Sequence, residues 1–316
     1  MIKYKVMEGV LMKNKVKKII LWVVLAVVLL PVLAFAVTEF WYLPHYWVNK
    51  RVLDFGEANE SEIRVMSANV RCWAPDDLGK RSWFFRADLI AQNIEKTSPD
   101  IIGFQEVTWL HYGYLTDIMP EFDSVIEYRD DFVLSEGCPI FYRRDKFDLV
   151  DKGSFWLSET PEKMSKDWGS ACYRICSYVI LKEKTSGKEL IVFNTHLDHV
   201  SDEARIKGIE VVLDKQAEFG GMPMLLMGDL NAAPGSVTYN SAAENFWDAC
   251  KIADDSIDGA TYQNWGAKLD NPRIDYIMVS KTGISVKTYK VLTDTYDGIY
   301  PSDHFPIYAD IVLTEE

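Results

Sequence analysis

The chain is short of the residues that build the commonest metal and redox motifs. It has five cysteines and five histidines in 316 residues. The cysteines stand at 72, 138, 172, 176 and 250, and no two form a CxxC pair. An odd count at irregular spacing argues against a disulfide framework or a cysteine zinc cluster, and leaves Cys172 with Cys176 as the one pair that oxidation would join. No GxxxxGK[ST] loop and no GxGxxG occurs, so nucleoside-triphosphate hydrolysis and dinucleotide chemistry have no support. No GxSxG elbow and no HExxH helix occurs either. Basic residues are scarce beyond residue 37. Residues 1–37 hold six lysines and one glutamate, whereas the rest carries -18 of an overall -13. Such a surface gains nothing from counterion release on a polyanion, so nucleic acid is a possible but not a favoured partner. It does suit a divalent cation, whose charge carboxylates must balance.

What is present begins with a long apolar run. Ile19 to Val37 is uncharged over 19 residues and follows Lys13, Lys15, Lys17 and Lys18. That length is enough to cross a bilayer, and the lysines should stay cytoplasmic, leaving the bulk of the chain outside. Trp41, Tyr42, Tyr46 and Trp47 follow as an interfacial aromatic belt would. Ala34-Phe35-Ala36 also fits a signal-peptidase site, so a cleaved signal and a secreted product stay open beside the uncleaved single-pass anchor. The expected organisation is a basic cytoplasmic region (1–18), a transmembrane anchor or signal segment (19–37), a juxtamembrane stalk (38–61) and one domain (62–316).

Within that domain, runs rich in β-branched and aromatic residues recur: 63–68, 101–105, 138–142, 147–157, 175–181, 190–194, 224–227, 274–279, 285–291 and 307–312. Gly, Pro, Asp or Asn bounds many of them, as strands require. Helical spacing appears at Arg86–Lys96 and Glu203–Phe219. Gly220-Gly221 reads as an ordinary helix stop. So many strands with few helices predict an α/β domain of two packed sheets with helices outside.

The polar residues that end these runs carry the chemistry. Glu106 closes the apolar strand Ile101–Gln105, Asp229 follows Met224–Gly228, and Asp303 follows a turn at Tyr300-Pro301-Ser302. Three carboxylates at strand ends can converge on a hard cation such as Mg²⁺. Asp229 and Asn231, two apart on an extended segment, would point the same way and share a water or a phosphate oxygen. Asp275 paired with His304 would fix the imidazole tautomer and raise its basicity. His199 borders His196 in sequence. Arg174 is either a bidentate clamp for a non-scissile phosphate or a surface salt bridge. Trp73, Trp156, Trp168 and Trp265 fall in loops or at strand ends; exposure of two or more would favour a ring-shaped or lipid substrate.

The ordered set SANV (67–70), GFQEV (103–107), NTHL (194–197), GDLNAAP (228–234), RIDYIMVS (273–280) and YPSDHFPI (300–307), with Phe141-Tyr142-Arg143 between, resembles the endonuclease/exonuclease/phosphatase superfamily over about residues 62–314. The resemblance implies a DNase I-like four-layer sandwich of two mixed β-sheets flanked by helices, Mg²⁺ or Mn²⁺ as cofactor, and hydrolysis of P–O bonds. It implies that Asn69 and Glu106 bind or adjoin the metal with Asp303 near it, and that His196 holds a phosphate oxygen. It further implies that Asp229 with Asn231 orients the attacking water, and that Asp275 supports His304, with Asp229 and His304 sharing the role of base. The segment Phe155–Pro161, with Trp168 and Arg174, is similar to a bacterial subgroup. A small or lipid-linked phosphoester outside the membrane is the expected substrate. An extracellular nuclease and a non-catalytic phosphate-binding module are the alternatives. No obligate protein partner is evident.

Overall fold

A computed structural model describes residues 2–74 and 76–315, with side chains described from Asn14 onward. The basic region expected over 1–18 therefore falls largely outside the described side chains.

Thirteen strands are formed among the described residues. They are β1 (Ile63–Asn69), β2 (Ile101–Gln105), β3 (Phe122–Val125), β4 (Ile140–Arg143), β5 (Phe147–Trp156), β6 (Ile175–Glu183) and β7 (Glu189–His196). The rest are β8 (Met224–Asp229), β9 (Phe246–Asp248), β10 (Asp255–Ile257), β11 (Asp275–Ser280), β12 (Ile284–Val291) and β13 (Ile307–Leu313). They make a seven-stranded sheet, β10-β12-β13-β1-β2-β4-β3, and a six-stranded sheet, β5-β6-β7-β8-β11-β9.

The two sheets pack face to face because their central strands are apolar on both sides, and neighbours in sequence enter different cores. Val65, Ile101, Val192, Leu225 and Ile277 fill the space between the sheets. Met66, Ile102 and Phe104 face outward under helices α3 (Trp83–Thr97) and α4 (Trp109–Ile118). Ile191, Phe193, Leu226 and Met278 face the other way, under α5 (Asp202–Ala217) and α6 (Val237–Asn245). A short α7 (Ala249–Ile252) follows β9. The result is the expected four-layer sandwich.

Register sets the site. β1 and β2 run parallel with Asn69 opposite Gln105, and β7 and β8 run parallel with His196 opposite Asp229. β11 is antiparallel to β8 and begins at Asp275, opposite Asp229. Four strand ends and one strand start thus share one edge of the sandwich. A polar stitch joins the sheets just beneath it. Asn194 Nδ2 donates to Phe104 O (2.8 Å) and Pro139 O (2.9 Å), and its Oδ1 accepts from Gln105 Nε2 (2.7 Å). Gly103 makes room for this contact: a Cβ there would lie 2.9 Å from the Asn194 side chain.

Helix α1 (Ile2–Phe40) is long and apolar enough to cross a membrane. The stretch after it does not stand off as the expected spacer. Residues 43–49 form α2, and Tyr46, Leu53 and Phe55 are buried in the same outer core as Phe84, Tyr114 and Phe122. Aromatic side chains supply that contact, which explains why no helical or strand periodicity marks the segment. All five cysteines are free, so Cys172 and Cys176 are not joined.

Candidate active site

Asp229 is the hub of the strand-end cluster. It is buried at the end of β8, where Gly228 adopts φ 136° and a Cβ would lie 1.9 Å from Thr195 O. Only glycine lets β8 approach β7 this closely and still deliver the carboxylate. Asp229 Oδ2 accepts from Asn69 Nδ2 (3.2 Å) and lies 3.4 Å from His196 Nε2 and 3.7 Å from His304 Nε2. His304 presents Nε2 inward because its Nδ1 is bonded to Asp275 Oδ2 at 2.9 Å. The ring of Tyr262 packs against His304 at 5.1 Å.

On the other sheet, Asn69 Nδ2 also donates to Glu106 Oε1 (3.1 Å), while the backbone N–H of Cys72 donates to Glu106 Oε2 (2.7 Å). Glu106 sits just past β2 with φ 62°, a left-handed conformation that turns its side chain back into the cleft. Asp303 is buried, with Arg71 Nη1 3.9 Å from its Oδ2. Ser302 Oγ donates to Asn69 O (2.8 Å), fastening the Asp303 loop to the end of β1.

Burial and neighbouring charge set the protonation of the cluster. Burial pushes the Asp229 carboxyl up, the nearby Asp275 adds to this, and its pKa reaches about 7. Burial alone would lower His304, but the charge and hydrogen bond of Asp275 outweigh it and raise the imidazole to about 10. Burial and the facing Arg174 hold His196 well below the ordinary histidine range, so it is neutral. Burial also raises Asp303. A divalent cation would reverse this trend for the carboxylates, because it favours their charged forms.

The donor set fits such a cation. Buried Asp229 and Asp303 and half-buried Glu106 are oxygen donors around one cleft, the ligand chemistry of Mg²⁺ or Mn²⁺. Asp229, Asp275 and His304 also bring ligand atoms within 4.8 Å of one another. His304 Nδ1 and Asp275 Oδ2 are already spent on each other there, which leaves the Glu106 and Asp303 side the freer of the two.

The cleft has a volume of about 370 Å³. His196, Asp229, Asn231, Glu106, Asp303 and His304 line it, Asn69 stands directly behind Glu106, and Asp275 stands behind His304. His199 borders it too. Two details differ from expectation. Asn231 does not alternate with Asp229 along a strand. β8 ends at Asp229, and Asn231 (φ 47°) donates its N–H to Asp229 Oδ1 (2.8 Å) and its Nδ2 to Leu197 O (3.1 Å). An Asx turn, not the period of a strand, brings the pair together. Phe141-Tyr142-Arg143 stays away from the cleft: Phe141 is core, and Arg143 bonds Asp145 and Gly56 O.

Arg174 is 5% exposed and lines the cleft, which rules out the surface salt bridge. Its Nη2 meets His199 Nδ1 (3.0 Å), and its buried Nε makes no hydrogen bond but lies 3.9 Å from Asp198 Oδ2. Arg129, which no motif or spacing marks, stands on the same wall with its Nε making no hydrogen bond but 3.8 Å from Asp130 Oδ2, and its Nη2 donating to Glu136 (2.7 Å). Trp156 Nε1 holds the Arg129 carbonyl (2.8 Å). Arg71 was missed as well. These arginines lie in loops, where spacing carries no period to read. The four tryptophans at 73, 156, 168 and 265 are all half-buried, so none is an open stacking platform.

A family model described as the endonuclease/exonuclease/phosphatase family matches residues 66–304. Among solved structures, a protein of that description from Bacteroides vulgatus is 32% identical, with a TM-score of 0.75, covering 80% of this chain and all of that one. The mannosyl-6-phosphatase of Bacteroides thetaiotaomicron is 34% identical, with a TM-score of 0.73, covering 79% of this chain and all of that one. Human nocturnin is 26% identical over 300 residues, and the match takes in 80% of this chain but 66% of nocturnin's length.

Proposed function

The chain belongs to the endonuclease/exonuclease/phosphatase family, and from that premise we propose that it is a divalent-metal-dependent phosphoesterase. Its substrate is a small or lipid-linked phosphoester met outside the cytoplasmic membrane. The observation that carries the reading is the meeting of Asp229, His196, His304 and Glu106 in one cleft whose far wall holds Arg174. Glu106 and Asp303 would hold the ion, with Asn69 keeping Glu106 in place. Bound Mg²⁺ or Mn²⁺ polarises the phosphoryl oxygens and acidifies water. His196 donates a hydrogen bond to a phosphoryl oxygen. Asp229, backed by Asn231, orients the attacking water and draws its proton, and the His304 imidazolium, with Nε2–H facing the cleft, stabilises the charge that builds. Arg174 and Arg129 neutralise the part of the phosphate that does not react.

The cleft volume and the sugar-phosphate relative support a compact substrate. The family's own name keeps a nuclease as the second reading. The anchor supports the location. Phe35 packs on Trp73 with ring centroids 5.5 Å apart, a contact that a chain cut after Ala36 would lack.

The test is turnover by the full chain in detergent of bis-p-nitrophenyl phosphate, sugar phosphates, phospholipids, RNA and plasmid DNA, with and without Mg²⁺. Hydrolysis of esters or lipids that vanishes in Asp229→Ala and His304→Ala supports the proposal. Equal rates in wild type and variants on every substrate refute it. Activity on nucleic acid alone promotes the nuclease.

A further inference from the structure

The membrane helix ends on a carboxylate that anchoring does not need. Glu39 is the next acidic residue after Glu8, lies next to the last residue of α1, and is 1% exposed. A helix C-terminus disfavours negative charge, and a buried carboxylate costs free energy unless its hydrogen bonds are worth keeping. Glu39 Oε2 accepts from Trp73 Nε1 (2.9 Å) and from Ser82 Oγ (2.7 Å), while Oε1 is buried without a partner.

Both donors belong to the catalytic domain, and one adjoins the cleft. Trp73 follows Arg71 and Cys72, which line the cleft, and the Cys72 N–H is bonded to Glu106. Ser82 caps α3. Aromatic packing stiffens the joint. Besides Phe35 on Trp73, Phe40 meets Phe84 (6.2 Å) and His45 stacks on Phe85 (4.5 Å, 10°). Phe35 lies inside the uncharged run, so the wall of the cleft is one residue from a ring that touches the membrane-spanning stretch. Trp41 and Trp47, 75% and 63% exposed at this level, suit the headgroup layer. That layer is only about 5–8 Å deep on each side.

We infer that Glu39 is a positioning residue that locks the membrane helix, through Trp73, to the Arg71 and Cys72 wall of the cleft. The cleft is thereby held at the bilayer surface and takes its phosphoester from a membrane lipid rather than from free solution. The inference rests on the phosphoesterase reading above and adds the substrate's source. A flexible stalk would let the cleft sample every orientation, whereas a rigid joint presents one face to the headgroups.

The test uses the full chain in liposomes and one phosphorylated headgroup offered in two forms, as a long-chain lipid in the bilayer and as its water-soluble deacylated ester. Four proteins are compared: wild type, Glu39→Leu, Glu39→Gln, and a chain with ten Gly/Ser residues inserted between Val37 and Thr38, which separates the apolar run from Glu39. The ratio of lipid to soluble turnover should fall about tenfold in Glu39→Leu and in the insertion, with the soluble rate unchanged. Glu39→Gln, which keeps an acceptor for Trp73, should retain the wild-type ratio. An unchanged ratio in Glu39→Leu and the insertion overturns the inference. So does an equal loss on both forms, which marks a merely structural residue, and so does a wild type active only on the soluble ester. Should wild type cleave neither form, the phosphoesterase reading fails, and the clamp is judged by energy transfer from a dye on the domain to a lipid dye. The clamp predicts a narrow distance distribution that broadens in Glu39→Leu, and equal distributions refute it.

Discussion

Asp275 and His304 stand 29 residues apart in sequence and meet at 2.9 Å, both buried, carboxylate to imidazole Nδ1. Asp275 starts β11, and its backbone N–H donates to Thr261 Oγ1 (3.0 Å), which fixes the start of the strand. The pair therefore sets which imidazole nitrogen faces the cleft.

Asp275→Asn should lower kcat about 10–100-fold with little change in KM, because the imidazole loses its orienting charge while the cleft keeps its shape. Steady-state kinetics on a cleaved phosphoester checks this. A wild-type kcat would mean that His304 needs no such support.

Removal of the metal should abolish turnover, and calorimetry should show Mg²⁺ or Mn²⁺ binding to wild type that weakens at least tenfold in Glu106→Ala. Binding that is unaffected by the loss of Glu106 would move the ion to the Asp229, Asp275 and His304 side.

Arg174→Ala should raise KM more than it lowers kcat, and Arg174→Lys should restore only part of the loss, since an ammonium lacks the planar fork. Arg129→Ala should act in the same direction. Unaltered KM in both would remove the arginine wall from substrate binding.

Asn194→Ala should cost about 1–3 kcal/mol of stability, because the carbonyls of Phe104 and Pro139 and the amide of Gln105 lose their shared partner in a dry interior. Gly103→Ala should destabilise through the same contact from the other side, by about 1–3 kcal/mol of overpacking. Thermal unfolding of the full chain measures both, and a Tm equal to wild type in either would show that the two sheets relax apart freely.

Protease added to intact cells should remove the domain and leave the anchor, as expected for lysines held on the cytoplasmic side. Protection until lysis would invert the topology.

The long strands were readable because their residues alternate between two apolar cores, as Val65 and Met66 do in β1. The short ones were not. β3, β9 and β10 have three or four residues, too few to show a period, and Asp255–Ile257 is exposed throughout. α4 escaped notice because Trp109, Tyr112 and Tyr114 surround it with apolar rings and Gly113 interrupts it, so no polar face marks its turn. The site residues at strand ends could be picked from sequence because a strand end is visible as the close of an apolar run. Arg86 could not. It reads as the start of a helix, yet it is fully buried and donates to the carbonyls of Val70, Arg81, Pro301 and Arg71, tying two cleft loops together. Nothing in its neighbours announces four backbone acceptors, three of them 15 or more residues away.

The left-handed backbone at Glu106 recurs at Arg71 (φ 55°) and Asn231 (φ 47°), so three side chains of the cleft sit where glycine would be more comfortable. Each such conformation costs about 1 kcal/mol or more. Glycine at 106 would relieve the backbone and empty the cleft of a carboxylate in one step. A search for hardier versions of this protein by heat selection alone should therefore drift toward inert molecules, with these positions among the earliest to be lost, unless turnover is selected alongside endurance.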